Sequence, residues 1–139
     1  MPLSDDPDLH LLCDGRRIDA VSRCDAAHIF RLGRVPRSLR IRSHAAVPAE
    51  LGVARDPRPL GVAVRQIELW QNAKVRVLPA EDAVLVGGFH DYEPDCGWRW
   101  TNGDAPIPAV LLAGLSGTLE VVVRVGSFAH YIATERRTA

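Results

Sequence analysis

Apolar and polar residues alternate with a period of two along most of this chain, and that period is the signature of strands buried on one face. The clearest run is near the end, where Leu119, Val121, Val123 and Val125 interleave with Glu120, Val122 and Arg124. Leu39 and Ile41 alternate with Arg40 and Arg42 in the same way, which places two arginines together on one strand face. Residues 9–13 and 16–21 are two β-prone runs joined by Asp14-Gly15, a dipeptide that favours the left-handed backbone of a tight hairpin. Two more strands follow over 27–32 and 38–43, separated by a turn at Gly33 and Pro36.

The pattern then breaks in an informative way. Residues 47–59 contain three prolines and a glycine, so they form an ordered connection that can cross between two sheets. Beyond it Leu60, Val62 and Val64 share one parity and Ile67 and Leu69 the other, which no straight strand can bury on one face. A β-bulge near Arg65-Gln66, or a change of sheet there, is predicted. Val75 and Val77 mark a short strand, residues 80–86 a helical turn or a loop, and Gly126-Ser127 a turn into a last segment over 128–133. The one helical rival is 108–115, about two turns of an Ala/Val/Leu run. Many short strands between turns predict an all-β fold, a two-sheet antiparallel sandwich of jelly-roll type. The expected division is a flexible segment 1–8, a single domain 9–133 and a fraying tail 134–139.

Composition narrows the function classes. Lys plus Arg and Asp plus Glu each number 17, so no long-range field favours nucleic acid or an anionic membrane surface. Lys74 is the only lysine, which reads first as coding bias and second as selection for bidentate anion contacts. Cys13, Cys24 and Cys96 lack any metal-ligand spacing, and a single bridge between Cys13 and Cys24 across a hairpin is the one disulfide the spacing suggests. Asp5, Asp6 and Asp8 stand where a secretory signal would carry positive charge, and no apolar run approaches about 18 residues. Neither an export signal nor a membrane span is expected in this stretch, and its compartment stays unknown.

Familiar catalytic and cofactor signatures are missing, since Gly114-Leu-Ser116-Gly117 is one residue short of a nucleophile elbow. His90, Asp91, Glu93, Asp95 and Cys96 crowd into seven positions, which makes His90, Glu93, Asp95 and Cys96 a candidate metal or acid/base cluster. The simpler reading is a solvated acidic loop with His90 bonded to a backbone carbonyl. Trp98 and Trp100 lie two apart, so a strand projects both indoles from one face. With His90, Tyr92 and Asp104 nearby in sequence they compose a candidate sugar platform, in which rings stack on a pyranose while polar groups take its hydroxyls. The alternative is that both indoles fill a core; Trp70, standing alone, reads as core or sheet edge. Arg31, Arg34, Arg37, Arg40 and Arg42 form the densest basic run, best read as a solvated strand face paired with acids such as Glu50 or Asp56.

Three stretches carry a resemblance: Val47-Pro-Ala-Glu50, Arg58-Pro-Leu-Gly-Val-Ala-Val-Arg65, and Gly88-Phe-His-Asp-Tyr-Glu-Pro94 with Trp98-Arg-Trp-Thr-Asn-Gly-Asp-Ala105. In order and spacing they resemble the region that follows the self-processing domain in bacterial hedgehog/intein (Hint) domain proteins, and more loosely a β domain attached to some bacterial glycosyltransferases. The similarity spans roughly residues 9–133 and implies an accessory β module. Hint autoprocessing needs a leading nucleophilic Cys or Ser and a downstream His, and Cys13 and Cys24 have neither that position nor those neighbours, so no catalytic residue carries over. Three functions follow as expectations. The first is a non-catalytic binding module of a larger bacterial protein, for a glycan or for another domain. The second is a structural or self-assembly domain with buried indoles, and the third a metal-dependent enzyme around His90, Glu93, Asp95 and Cys96.

Overall fold

A computed structural model describes residues 3–4, 6–52, 54–128 and 131–132. Its elements in chain order are β1 (Leu3–Ser4), β2 (His10–Cys13), β3 (Arg16–Ile18), β4 (Ser22–Cys24), β5 (Ala27–Leu32), β6 (Leu39–Arg42), α1 (Pro48–Leu51), β7 (Val62–Gln71) and β8 (Lys74–Pro79). They continue with β9 (Phe89–Glu93), β10 (Trp98–Thr101), β11 (Asp104–Pro106), a 3-10 turn (Ala109–Leu112), β12 (Leu119–Phe128) and β13 (Tyr131–Ile132). The larger sheet has the order β4-β5-β12-β7-β10-β9, with β8 beside β10 on the same edge of β7. The smaller sheet runs β11-β6-β2-β3, and β1 pairs with β13 as a separate ribbon. All pairings are antiparallel, the all-β two-sheet sandwich that the alternation predicts.

The two sheets meet where the apolar parity says they should. Leu11, Leu39 and Ile41 from the smaller sheet pack against Phe30, Ile67, Leu69, Val121 and Val123 from the larger, all essentially without solvent exposure. The β2–β3 hairpin turns at Asp14 and Gly15, both at positive φ, as the Asp-Gly pair demands. The predicted bulge falls at Arg65: Arg124 faces Gln66 and Val125 faces Val64, so Arg65 has no opposite residue. One extra residue flips the parity, and Val62, Val64, Ile67 and Leu69 all reach the core. The connection after β6 carries the chain from the smaller sheet to the larger, with α1 inside it ended by Gly52 at φ 73.

Several expectations change. Cys13 and Cys24 end strands of different sheets and are free thiols, so no bridge joins them. Gly126-Ser127 does not turn: β12 runs on to Phe128, and Gly126 is the extra residue of a second bulge, between Val125 opposite Val64 and Ser127 opposite Ala63. The short strand expected at Val75 and Val77 is present as β8, with both valines facing outward and Leu78, opposite Ile67, pointing into the core. The helical rival shrinks to one 3-10 turn. Within 1–8, Pro7 is buried and its carbonyl accepts from the His44 amide at 2.7 Å. The tail 134–139 lies outside the described residues.

Candidate functional site

The outer face of the larger sheet, away from the sandwich core, falls into a covered half and a bare half. The covered half holds Trp98 and Trp100. Their alternation puts both on the face of Ala63, where the connection after β6 folds back over them through paired backbone bonds between Ala46 and Leu60 (2.8 and 2.9 Å). Trp100 is only 9% exposed and Trp98 is half-buried. Their rings meet edge to face, centroids 6.0 Å apart at 72°, so they form a small second core with Leu60 and Ala63 and not a coplanar platform. Trp98 is clamped further. Its Nε1 donates to Glu93 Oε1 (3.3 Å), the Arg65 guanidinium lies 5.1 Å over its ring, and Gly126 packs against it so closely that a Cβ there would overlap the indole.

The five residues expected to form one sugar site separate. His90 joins the covered half, its Nε2 2.7 Å from the Pro59 carbonyl oxygen, the backbone contact expected of it. Tyr92 lies on the opposite face with Arg99, whose guanidinium is 6.0 Å over the phenol and whose nitrogens donate to the carbonyls of Ala80 (2.7 Å) and His90 (3.1 Å). Asp104 is in the other sheet, accepting from Arg40 Nε at 2.6 Å. The division has a backbone cause. The register of β9 on β10 slips between Arg99 and Thr101, so His90 and Tyr92, equal in parity, end on different faces.

The acidic segment is used internally as well. Arg58 holds Asp56 through both oxygens (3.0 and 2.7 Å) and reaches Glu93 Oε2 (3.1 Å), and its guanidinium drives the Asp56 carboxyl down to about 2. Glu93 is held by Arg58 and Trp98 and His90 faces a carbonyl, so these two of the four residues proposed as metal ligands point to separate partners. No group of three or more His, Cys, Asp or Glu among the described residues is arranged to hold a metal. Four of the five arginines of the run are paired, though not with the acids expected: Arg31 with Glu120, Arg34 with Asp14, and Arg40 and Arg42 with Asp104.

The bare half is the surface that sequence reasoning missed. Across β5, β12, β7 and β8 the register aligns Ile29, Val122, Glu68 and Val77 in one row and Arg31, Glu120, Trp70 and Val75 in the next. Trp70 is 38% exposed, and Val75 and Val77 beside it are 40% and 48% exposed. Beneath them Glu68 is 4% exposed and accepts from Arg124 Nε, Gln66 Nε2 (2.7 Å) and Trp70 Nε1 (2.9 Å). Burial alone would push the Glu68 carboxyl up; the bonds from Arg124, Trp70 and Gln66 outweigh it and hold it below its usual range. That network fixes the indole of Trp70 in place. A cleft of about 290 Å³ opens next to it, lined by Arg31, Asn72, Thr118 and Glu120. The signal was present in the sequence: with Ile67 and Leu69 inward, Glu68 and Trp70 must face out.

Comparisons with protein-family models, with curated proteins and with solved structures find no match to this chain.

Proposed function

We propose that this chain is a non-catalytic assembly module that pairs with a second copy of itself through the bare half of its larger sheet. The observation that carries the reading is the contiguity of Trp70, Val75 and Val77 on a face that no other element among the described residues covers. Exposed apolar patches of this kind favour burial against a partner, and tryptophan is the side chain most often central to one. A second copy suits the face because its charges are already matched within it, Arg124 with Glu68 and Arg31 with Glu120. The chain's zero net charge opposes no approach of like molecules. A two-fold axis near the β7–β8 hairpin would set Trp70, Val75 and Val77 against their own copies. The resemblance to the region behind the Hint self-processing block supports a place as an accessory module of a larger bacterial protein.

A second reading, glycan binding, is favoured by the Trp70 cleft, which sets a fixed indole beside an arginine, an amide, a hydroxyl and a carboxylate. It moves the expected sugar platform from Trp98 and Trp100 to Trp70. One pair of variants separates the readings. Sedimentation equilibrium should show a concentration-dependent dimer for the wild type, and a monomer with unchanged dichroism for Val77→Glu. A wild type that stays monomeric at the highest concentration, together with saturable quenching of Trp70 fluorescence by simple sugars that Trp70→Ala abolishes, would replace assembly by glycan binding.

A further inference from the structure

At one end of the sandwich the two sheets part beside the edge strand β3, and a cleft of about 370 Å³ opens between them. Its walls are Cys13, Ile18, Leu32 and Pro36, and its rim carries Arg16 and Arg34. The floor is continuous with the main core: Leu32 belongs to that core, and Cys13 and Ile18 pack against it. Cys13 adds to the apolar wall, since burial and then the neighbouring Asp14 push its thiol up to about 11 and keep it uncharged.

The rim is cationic in a specific sense. Among the described residues the only carboxylate lining the cleft is Asp14, and it is committed elsewhere: Oδ1 accepts from the amides of Arg37 and Ser38, both at 2.9 Å. Its Oδ2 lies 3.8 Å from Arg34, a loose ion pair. The Arg16 guanidinium has no hydrogen-bond or ion-pair partner among the described residues, its backbone pairing with Cys13 in the hairpin. An apolar slot between sheets with an uncommitted guanidinium at its mouth matches a ligand with an apolar chain and one anionic end, because each half of such a molecule finds what it needs.

We propose that this cleft binds a small amphipathic carboxylate, its chain against Ile18, Leu32 and Pro36 and its carboxylate on Arg16. The site lies on β2, β3 and the end of β5, apart from Trp70, Val75 and Val77, and does not depend on self-pairing.

Amide NMR of the whole chain tests it with three probes: octanoate, octan-1-ol with the same chain but no charge, and acetate with the charge but no chain. Octanoate should shift the amides of Ile18, Leu32 and Gly33 saturably and bind more tightly than either control. Arg16→Gln should weaken octanoate about tenfold while leaving octan-1-ol unchanged. The Arg16 side chain is exposed and makes no bond within the described residues, so an otherwise superimposable spectrum will show the variant folded. Equal affinity of octanoate and octan-1-ol for the wild type would overturn the proposal. So would octanoate shifts that map to Val75 and Val77 instead, or no saturable response to octanoate.

Discussion

Two buried ionisable side chains make this fold sensitive to acid in separable steps. His28 is 5% exposed on the core-facing side of β5, with Arg23 nearby, and burial first, then that positive charge, lowers its pKa below 6.5. Asp6, Asp8 and Asp19 line the same opening, which leads to the imidazole between the sheets. A base with a depressed folded-state pKa binds protons more readily when unfolded, so stability is lost as pH falls below 6.5. Glu68 has the opposite form: its folded pKa lies below 4.5, so its contribution is present above that value and disappears as pH falls through the folded value. Urea denaturation across pH should therefore show a first decline beginning near 6.5, absent in His28→Gln, and a second below 4.5, reduced in Glu68→Gln. At neutral pH Glu68→Gln should cost about 1–3 kcal/mol, because an amide cannot accept from all three present donors. A single decline common to all three proteins would show that neither group is responsible. The parity of Glu68 was legible in the sequence. Its burial was not, because the cover comes from Trp70 on its own strand and Arg124 on β12, a pairing fixed only by the register of distant segments.

At the level of elements, the sequence predicted what a strand does by itself better than what lies on top of it. The parity change between Val64 and Ile67 located the Arg65 bulge because the rule is local: two buried sets of opposite parity need one extra residue between them. Gly126 was misread for a related reason. A glycine after an alternating strand signals a turn, yet here it is an opening in the sheet surface for the Trp98 ring, contributed by β10. Nor does alternation say what covers a face, so Trp98 and Trp100 shared a side as expected while the chain around Ala46 and Leu60 closed over them. Gly126→Ala should accordingly destabilise by about 1–3 kcal/mol through overpacking against the indole and Arg65. The same substitution in a Trp98→Ala background should cost much less, the non-additivity expected of residues in contact. Equal costs in both backgrounds, read from paired denaturation curves, would mean that the glycine serves the strand backbone and not the ring.

For the whole molecule, the placement of charge decides how assembly should respond to salt. Were two copies drawn together by opposite patches, sodium chloride would weaken pairing steeply, as screening does for exposed charges separated by about a Debye length of 10 Å at 0.1 M. Here Arg124–Glu68 and Arg31–Glu120 close their pairs within one chain, and Trp70, Val75 and Val77 supply apolar surface. The dimer's dissociation constant should then change less than about threefold between low and moderate sodium chloride. It should tighten in sulfate, which is excluded from apolar surface. Calorimetric dilution should give a negative heat-capacity change on pairing, the mark of apolar burial. Steep weakening by sodium chloride with no heat-capacity signal would instead place the contact on the arginine-rich face of β6, where Arg40 and Arg42 stand over Asp104. The bare half of the larger sheet would then be left to its other candidate partner, the glycan at Trp70.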